Sequence, residues 1–258
     1  MDAPSTAAAI AFVRAEEGRR PPGDRLFEDR YAALWAAEGA EARRLFLTVP
    51  FFVEHVRLRT RFLDDEIRSA VARGCEAIVL LGAGFDSRAL RLPELAGGRV
   101  EVYEVDHEAQ LAAKRVRLAA NGTPLPAFVR TLAVDLAGPG LAATLSAAGL
   151  RPGAGTLFVA EGLIGYLAPA AVAGLFAECA AAAAAPAWLA ASYSRFTFQP
   201  AQVEQLLGRA GFGRVSHPTY QELHRRYLGT DAPEGWESFV LTTAALGEPA
   251  ARGSQAAG

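Results

Sequence analysis

The sequence predicts an α/β protein: a mostly parallel sheet with crossover helices, fronted by a helical N-terminal cap. Three observations carry this reading. After Gly74, short apolar runs alternate with helical stretches, the pattern that builds a parallel sheet. Four successive runs stop at a glycine pair or a carboxylate, as strands do beneath a ligand. The first 74 residues contain no strand-like run and read as helix throughout.

Taken in order, residues 5–17 form a helix that Arg20-Pro-Pro-Gly-Asp24 breaks, 31–40 form another, and 51–73 form a long amphipathic helix ended by Gly74. Phe51, Phe52 and Phe62 on that helix are expected to face the core. Strands follow at 77–81, before Gly82-Ala83-Gly84, and at 100–105, before Asp106. Three more are read at 127–134, before Asp135, at 156–160, before Glu161, and at 188–193. Helices fill the intervals at 87–92, 108–120, 141–148 and 170–185. A helix at 200–210 stops at Gly211, and strand-like runs at 213–217 and 238–246 are expected at the far edge of the same sheet. No repeat and no linker divides the chain. Residues 1–246 are therefore read as one domain, a cap of 1–74 on a core of 75–246, and 247–258 as a disordered Gly/Ala/Pro-rich tail.

Composition narrows the function. Of 258 residues, 51% are apolar and 21% charged, enough for a large core and too apolar for disorder. The net charge of −2, from 26 basic and 28 acidic residues, argues against binding driven by phosphate neutralisation, so no nucleic-acid partner is expected. Cys75 and Cys179 stand far apart and form no metal or redox motif; no metal is expected. They read as buried thiols in a reducing compartment, which implies a cytoplasmic protein. The N-terminal apolar stretch is short and lacks a basic flank, and the alanine run 180–185 lies between Glu178 and Pro186. Neither a signal peptide nor a membrane span is expected.

The strand ends carry the chemistry. Gly82 and Gly84 allow a tight turn and a close approach of ligand to backbone. The dinucleotide fingerprint wants a small third residue where Ser87 stands, so the match is blurred. Asp106 lies about twenty residues beyond the glycines, where a carboxylate accepts ribose hydroxyl hydrogen bonds. That much fits NAD and adenosyl ligands equally. A pyrophosphate disfavours nearby carboxylates, whereas the sulfonium and ammonium groups of S-adenosylmethionine favour them. Asp86, Asp135 and Glu161 therefore tilt the reading towards S-adenosylmethionine. Its carboxylate needs a cation. Arg57 finds Glu54 at helical spacing, and Arg61 finds Asp64 or Asp65; Arg59 has no acidic partner on its own helix and is available.

Five motifs in order resemble the leucine carboxyl methyltransferase family, which includes bacterial O-methyltransferases of polyketide biosynthesis. They are Arg59-Thr-Arg-Phe-Leu-Asp-Asp65, Leu80-Leu-Gly-Ala-Gly-Phe-Asp-Ser-Arg88, Tyr103-Glu-Val-Asp106, Val134-Asp-Leu136 and Ala160-Glu-Gly-Leu-Ile-Gly-Tyr-Leu167. The likeness runs from about residue 25 to about residue 240. It implies a class I methyltransferase, Rossmann-like sheet of seven strands with the last antiparallel. It implies that Arg59 holds the methionyl carboxylate and that Gly82 and Gly84 line the methionyl part. Asp106 would bind the ribose, Asp135 and Leu136 the adenine end, and Glu161 would lie near the amino group. Ser87 stands where the family more often has threonine. Gly165 stands where a larger residue or proline is common, which implies a wider pocket near the methyl donor.

The acceptor side is the less determined part. His55, His107, His217 and His224 are the only histidines and none lies in a base motif, so all four are read as structural and no catalytic residue is named. A carboxylate acceptor is already ionised and needs no base, whereas a phenol gains from one. Tyr166, Arg195 and Tyr220, with Phe196 and Phe198, follow the later strands and are candidates to meet the small-molecule acceptor. The expected function is an S-adenosylmethionine-dependent O-methyltransferase acting on a carboxyl group of a small, polyketide-like metabolite. An NAD(P)-dependent oxidoreductase and a non-catalytic S-adenosylmethionine-binding protein are the alternatives.

Overall fold

The structure, a computed structural model, describes residues 3–36, 50–236 and 238–247. Its first two helices are α1 (Ala3–Gly18) and α2 (Ala33–Ala36), the latter a single turn; the rest of the helix expected to residue 40 lies outside the described residues. Helix α3 (Pro50–Ala72) is the long one. Its apolar face sets Leu58, Phe62, Leu63, Ile67 and Ala70 into the core, each larger side chain contributing about 1.5–3 kcal/mol. Of the three aromatics, Phe62 is in that core, while Phe51 packs tilted and Phe52 edge-on against Phe239. Gly74, at φ +88°, ends the helix and turns the chain into β1 (Ala77–Leu81). Helix α3 thus runs antiparallel to β1, with its N-terminal half beside the carboxyl ends of the strands.

Every residue of β1 is buried, as a central strand covered on both faces requires. Ile78 and Leu80 point to α3 while Val79 and Leu81 point to the opposite layer, the period of two of an extended chain. After β1 come the short helices α4 (Arg88–Arg91) and α5 (Pro93–Ala96) where one helix was expected; Pro93 opens the second. Strand β2 (Glu101–Asp106), α6 (Glu108–Ala120), β3 (Val129–Ala133), α7 (Leu141–Ala147) and β4 (Thr156–Glu161) follow. Then come α8 (Pro169–Ala183), β5 (Ala187–Ser194), α9 (Pro200–Arg209), β6 (Gly213–Ser216), α10 (Tyr220–Tyr227) and β7 (Phe239–Leu246). Helix α10 is absent from the sequence reading. Its signal was available: Thr219 and Glu222 form a reciprocal capping box at its start.

The seven strands lie in the order β3-β2-β1-β4-β5-β7-β6. All neighbours are parallel except β7, which inserts antiparallel between β5 and β6. The two C-terminal strands do form the far edge, with β6 outermost. The chain returns from β3 to place β4 beside β1, so the order reverses there, and a crevice opens above the carboxyl ends of the strands at such a reversal. Both cysteines are buried free thiols. Burial pushes the Cys75 thiol up to about 11 and raises Cys179 further, so both stay protonated at neutral pH. The tail expected to be disordered lies outside the described residues from 248 onward.

Candidate active site

A cavity of about 570 Å³ opens at the strand-order reversal, within the size range of small-molecule and cofactor sites. Strand ends build its floor: Gly82 and Gly84 after β1, Asp106 at the end of β2, Asp135 and Leu136 after β3, and Glu161 closing β4. Thr6, Ala7 and Ile10 of α1 roof it, and Tyr166 stands at its mouth, 60% exposed. Six of the eight residues assigned to the cofactor from sequence line this cavity, and a seventh, Arg59, is bonded to Glu161 on its wall.

Two glycines are required by geometry. Gly82 has φ +65° and Gly84 φ +47°. A Cβ on Gly82 would stand 3.1 Å from Leu163 Cδ1, another lining residue. Gly82→Ala is expected to lower stability by about 1–2 kcal/mol through its left-handed backbone. It is also expected to weaken ligand binding; thermal melting with and without ligand reads both effects.

Asp106 is fixed by its own loop. Its Oδ2 accepts from the Gly84 N–H at 2.7 Å and its Oδ1 from the His107 N–H at 2.7 Å. Each oxygen keeps a further lone pair for a hydroxyl donor. His107 begins α6, as expected of it. One turn into α6, Gln110 lines the cavity, and its Nε2 is buried without a hydrogen-bond partner. An orphaned donor of this kind is costly unless a ligand acceptor meets it. The sequence reading missed Gln110; its only signal was its place on the first turn after Asp106.

Asp135 is exposed, and its Oδ1 accepts from the Ala137 N–H at 3.0 Å, while Leu136 is buried beside it. Together they offer one polar and one apolar edge to a planar ring.

Arg59 departs from expectation. It is 5% exposed, and its Nε donates to Glu161 Oε1 at 2.8 Å. Helical spacing could not reveal a partner 102 residues away. Gly162, at φ +65°, lies beside the guanidinium, and a Cβ there would be in ordinary contact with Arg59 Nη1 at 3.5 Å. Glu161 Oε2 also meets Arg88 Nη1 at 2.6 Å. Burial raises the Glu161 pKa, but Arg88, Arg59 and Arg14 override it and hold the carboxyl well below the usual carboxylate range. Glu161 is therefore a fixed anion on the cavity wall. Arg57 differs too: it pairs with Glu17 of α1, Nε to Oε2 at 2.5 Å, and not with Glu54. Arg61 pairs with Asp65 as expected.

Asp86 is turned away from the cavity. It is 8% exposed, its Oδ1 accepts from the Arg88 N–H at 2.7 Å, and its Oδ2 pairs with the Arg88 guanidinium. Its backbone carbonyl takes the Lys114 ammonium. Desolvation opposes the Asp86 charge, yet Arg88, Arg14 and Lys114 keep its pKa below the ordinary value. Asp86 thus holds the glycine loop against a buried ionic network. Ser87 belongs to that network, donating to Asp29 Oδ2 at 2.7 Å.

On the acceptor side, only Tyr166 of the three candidates lines the cavity. Arg195 is exposed in the turn after β5, next to Phe196, which is 87% exposed. Tyr220 is buried, with its Oη 2.6 Å from His55 Nδ1. Gly165 has a packing reason: a Cβ there would stand 3.3 Å from Thr197 Oγ1. A larger residue there would have to displace Thr197.

A seven-stranded sheet with β7 antiparallel, carrying a crevice at its reversal, is the class I methyltransferase fold. The crystal structure of a provisionally named methyltransferase from Thermobifida fusca YX shares it, with TM-score 0.55 at 17% identity over 84% of this chain and 92% of that one. The chain belongs to the leucine carboxyl methyltransferase family, whose model matches residues 7–180. A provisionally named S-adenosyl-L-methionine-dependent methyltransferase of Parafrankia sp. (strain EAN1pec) is 39% identical over 171 residues, 63% of this chain and 54% of that relative. A similarly named protein of Streptomyces avermitilis is 34% identical over 263 aligned positions, 95% of this chain and 88% of the relative. The protein is accordingly a methyltransferase that uses S-adenosylmethionine. The cavity fits that cofactor on its own chemistry: carboxylates for hydroxyl and ammonium groups, an arginine beside them, and the unpartnered Gln110 donor.

Proposed function

We propose that the protein methylates a carboxyl oxygen of a small metabolite. The observation that carries this is the composition of the cavity wall. Among the described residues, its ionisable side chains are carboxylates, the Tyr166 phenol and His107, which is exposed at the start of α6. A carboxylate nucleophile suits such a wall, because it arrives ionised and asks for no base. The family's description points the same way. A polyketide-like acid is the substrate class that fits the resemblance.

When bound, S-adenosylmethionine supplies an electrophilic methyl group. This chain's residues do the positioning. Asp106 accepts the ribose hydroxyls through the lone pairs its loop leaves open. Asp135 and Leu136 bracket the adenine, Arg59 holds the methionyl carboxylate, and Glu161 holds the ammonium. Fixing the two reactants in contact is worth several kcal/mol of barrier. Since Arg59 and Glu161 already face each other, a zwitterion can join both ends of an existing pair without stranding either charge. Arg59→Ala is expected to weaken S-adenosylhomocysteine binding by about 10–100-fold, the scale of a lost charged hydrogen bond. Adenosine affinity should stay nearly unchanged, and equal losses for both ligands would sink the carboxylate role.

The acceptor is tested with tritiated-methyl S-adenosylmethionine and a panel of benzoate, cinnamate and octanoate beside phenol. Counts released by base as methanol identify carboxyl methyl esters. Base-stable product from phenol alone would overturn the carboxyl reading. Two buried, unpaired thiols also support a cytoplasmic location.

A further inference from the structure

Among the described residues, Gln110 is the one side chain on the cavity wall with a buried polar atom that nothing meets, its Nε2. The local sequence fixes where that side chain points. Asp106 closes β2, and α6 begins two residues later. Leu111, Lys114 and Leu118 are buried on α6. Gln110 and Lys114 stand one turn apart and share a side of the helix. Lys114 reaches the backbone carbonyl of Asp86 and, at 2.7 Å, Glu104 Oε1, so that side faces the glycine loop. Gln110 meets the same loop nearer the cavity: a Cβ on Gly84 would stand 4.0 Å from its Nε2 and 3.9 Å from the Cβ of Ala7 on α1. The Gly84 N–H in turn donates to Asp106 Oδ2 at 2.7 Å. The Gln110 amide and the Asp106 carboxylate therefore flank the same glycine, and both line the cavity.

The two groups are chemically complementary. An ionised carboxylate only accepts hydrogen bonds, whereas an amide nitrogen offers two hydrogens. A ribose hydroxyl does both. Once Asp106 has taken a hydroxyl hydrogen, the hydroxyl oxygen still carries lone pairs, and in a site closed to water these need a donor. The two backbone N–H groups beside it, those of Gly84 and His107, are already spent on Asp106 itself. The backbone N–H of Gln110 is spent as well, on the His107 carbonyl at 3.0 Å. Its side-chain nitrogen is not. Nε2 lies closed against the loop, but Gln110 is only half-buried and stands on the cavity wall. The last torsion of a glutamine side chain is soft, so a turn about it brings an N–H into the cavity. That turn exchanges an orphaned donor for a satisfied one.

We propose that Gln110 completes the ribose site: its side-chain amide donates to the oxygen of a ribose hydroxyl whose hydrogen Asp106 accepts. This rests on the placing of the ribose at Asp106. The pair reads the hydroxyl from both sides. A ligand that lacks it strands the amide and leaves a lone pair of the carboxylate without its hydrogen. Gln110 is thus a specificity-determining residue, selecting adenosyl over deoxyadenosyl ligands.

The test is calorimetric titration of the whole chain with S-adenosylhomocysteine and its 2′-deoxy and 3′-deoxy analogues. Gln110→Met keeps the length of the side chain and removes the donor. It is expected to bind S-adenosylhomocysteine about 3–10-fold more weakly, the scale of one neutral hydrogen bond, and to match the wild type on one of the deoxy analogues. Gln110→Glu keeps the shape but can only accept, so it is expected to bind S-adenosylhomocysteine more weakly still. Thermal melting without ligand gives an independent reading. Removing an orphaned donor should leave the melting temperature of Gln110→Met unchanged or higher. Equal losses on all three ligands in Gln110→Met, wild-type affinity in Gln110→Glu, or a lowered melting temperature in Gln110→Met would overturn the proposal. Asp106→Ala in the same titrations separates the two assignments. If it too loses equally on all three ligands, the placing of the ribose fails; if it discriminates among them and Gln110→Met does not, the role of Gln110 alone falls.

Discussion

Asp64→Ala is expected to destabilise the fold by about 3–5 kcal/mol, the cost of breaking a buried ion pair from one side. Asp64 is fully buried and accepts from three nitrogens: Arg88 Nε at 2.8 Å, Arg91 Nη1 at 2.6 Å and Arg91 Nη2 at 2.7 Å. Both arginines are themselves buried or nearly so, so neither can turn to water when the carboxylate is removed. The damage should spread to the site, because Arg88 is also the partner of Asp86 and Glu161. The neighbouring residue is the natural control. Asp65 pairs with Arg61 and Arg68 in a partly exposed position, where such pairs contribute about 0–1 kcal/mol. Urea unfolding of the two variants compares them directly. Equal, small losses would show that the network under the glycine loop does not hold it.

Asp106→Ala is expected to lower S-adenosylhomocysteine affinity by about 10–100-fold, from hydrogen bonds to a charged group. The structure adds a second loss. The same carboxylate accepts the N–H groups of Gly84 and His107, so alanine removes the ligand contact and frees the loop that shapes the cavity. Asp135→Ala should cost less, since Asp135 is exposed and its one recorded bond is local, to Ala137. Calorimetric titration of both variants settles the order; a larger loss from Asp135 would contradict the ribose assignment to Asp106.

Why the strands were readable and the ion pairs were not has a physical basis. An apolar run that stops at glycine or a carboxylate states its own end, and β1, β2 and β4 follow that rule to within a residue. Strand β3 is shorter than read because Phe128 and Val134 flank rather than extend its ladder. Helix α10 was missed because its sequence, Tyr-Gln-Glu-Leu-His-Arg-Arg-Tyr, is mostly polar and anchored by Tyr220, Leu223 and His224. Spacing rules see only partners on the same helix. Arg59 therefore looked free when its partner, Glu161, lay at the end of a strand 102 residues on. For the same reason Asp86 counted as part of the rim, although Arg88 draws it inward. His55, read as structural, is buried and held by Tyr220 and Phe239, both distant in sequence.

The central claim is that the crevice above β1 to β4 is an S-adenosylmethionine site. Parallel calorimetric titration of the whole chain with S-adenosylmethionine, S-adenosylhomocysteine and NAD tests it most directly. Saturable binding of both adenosyl ligands, abolished or weakened in Asp106→Ala, with no binding of NAD, is the result this account predicts. Binding of NAD in preference to either adenosyl ligand would contradict it.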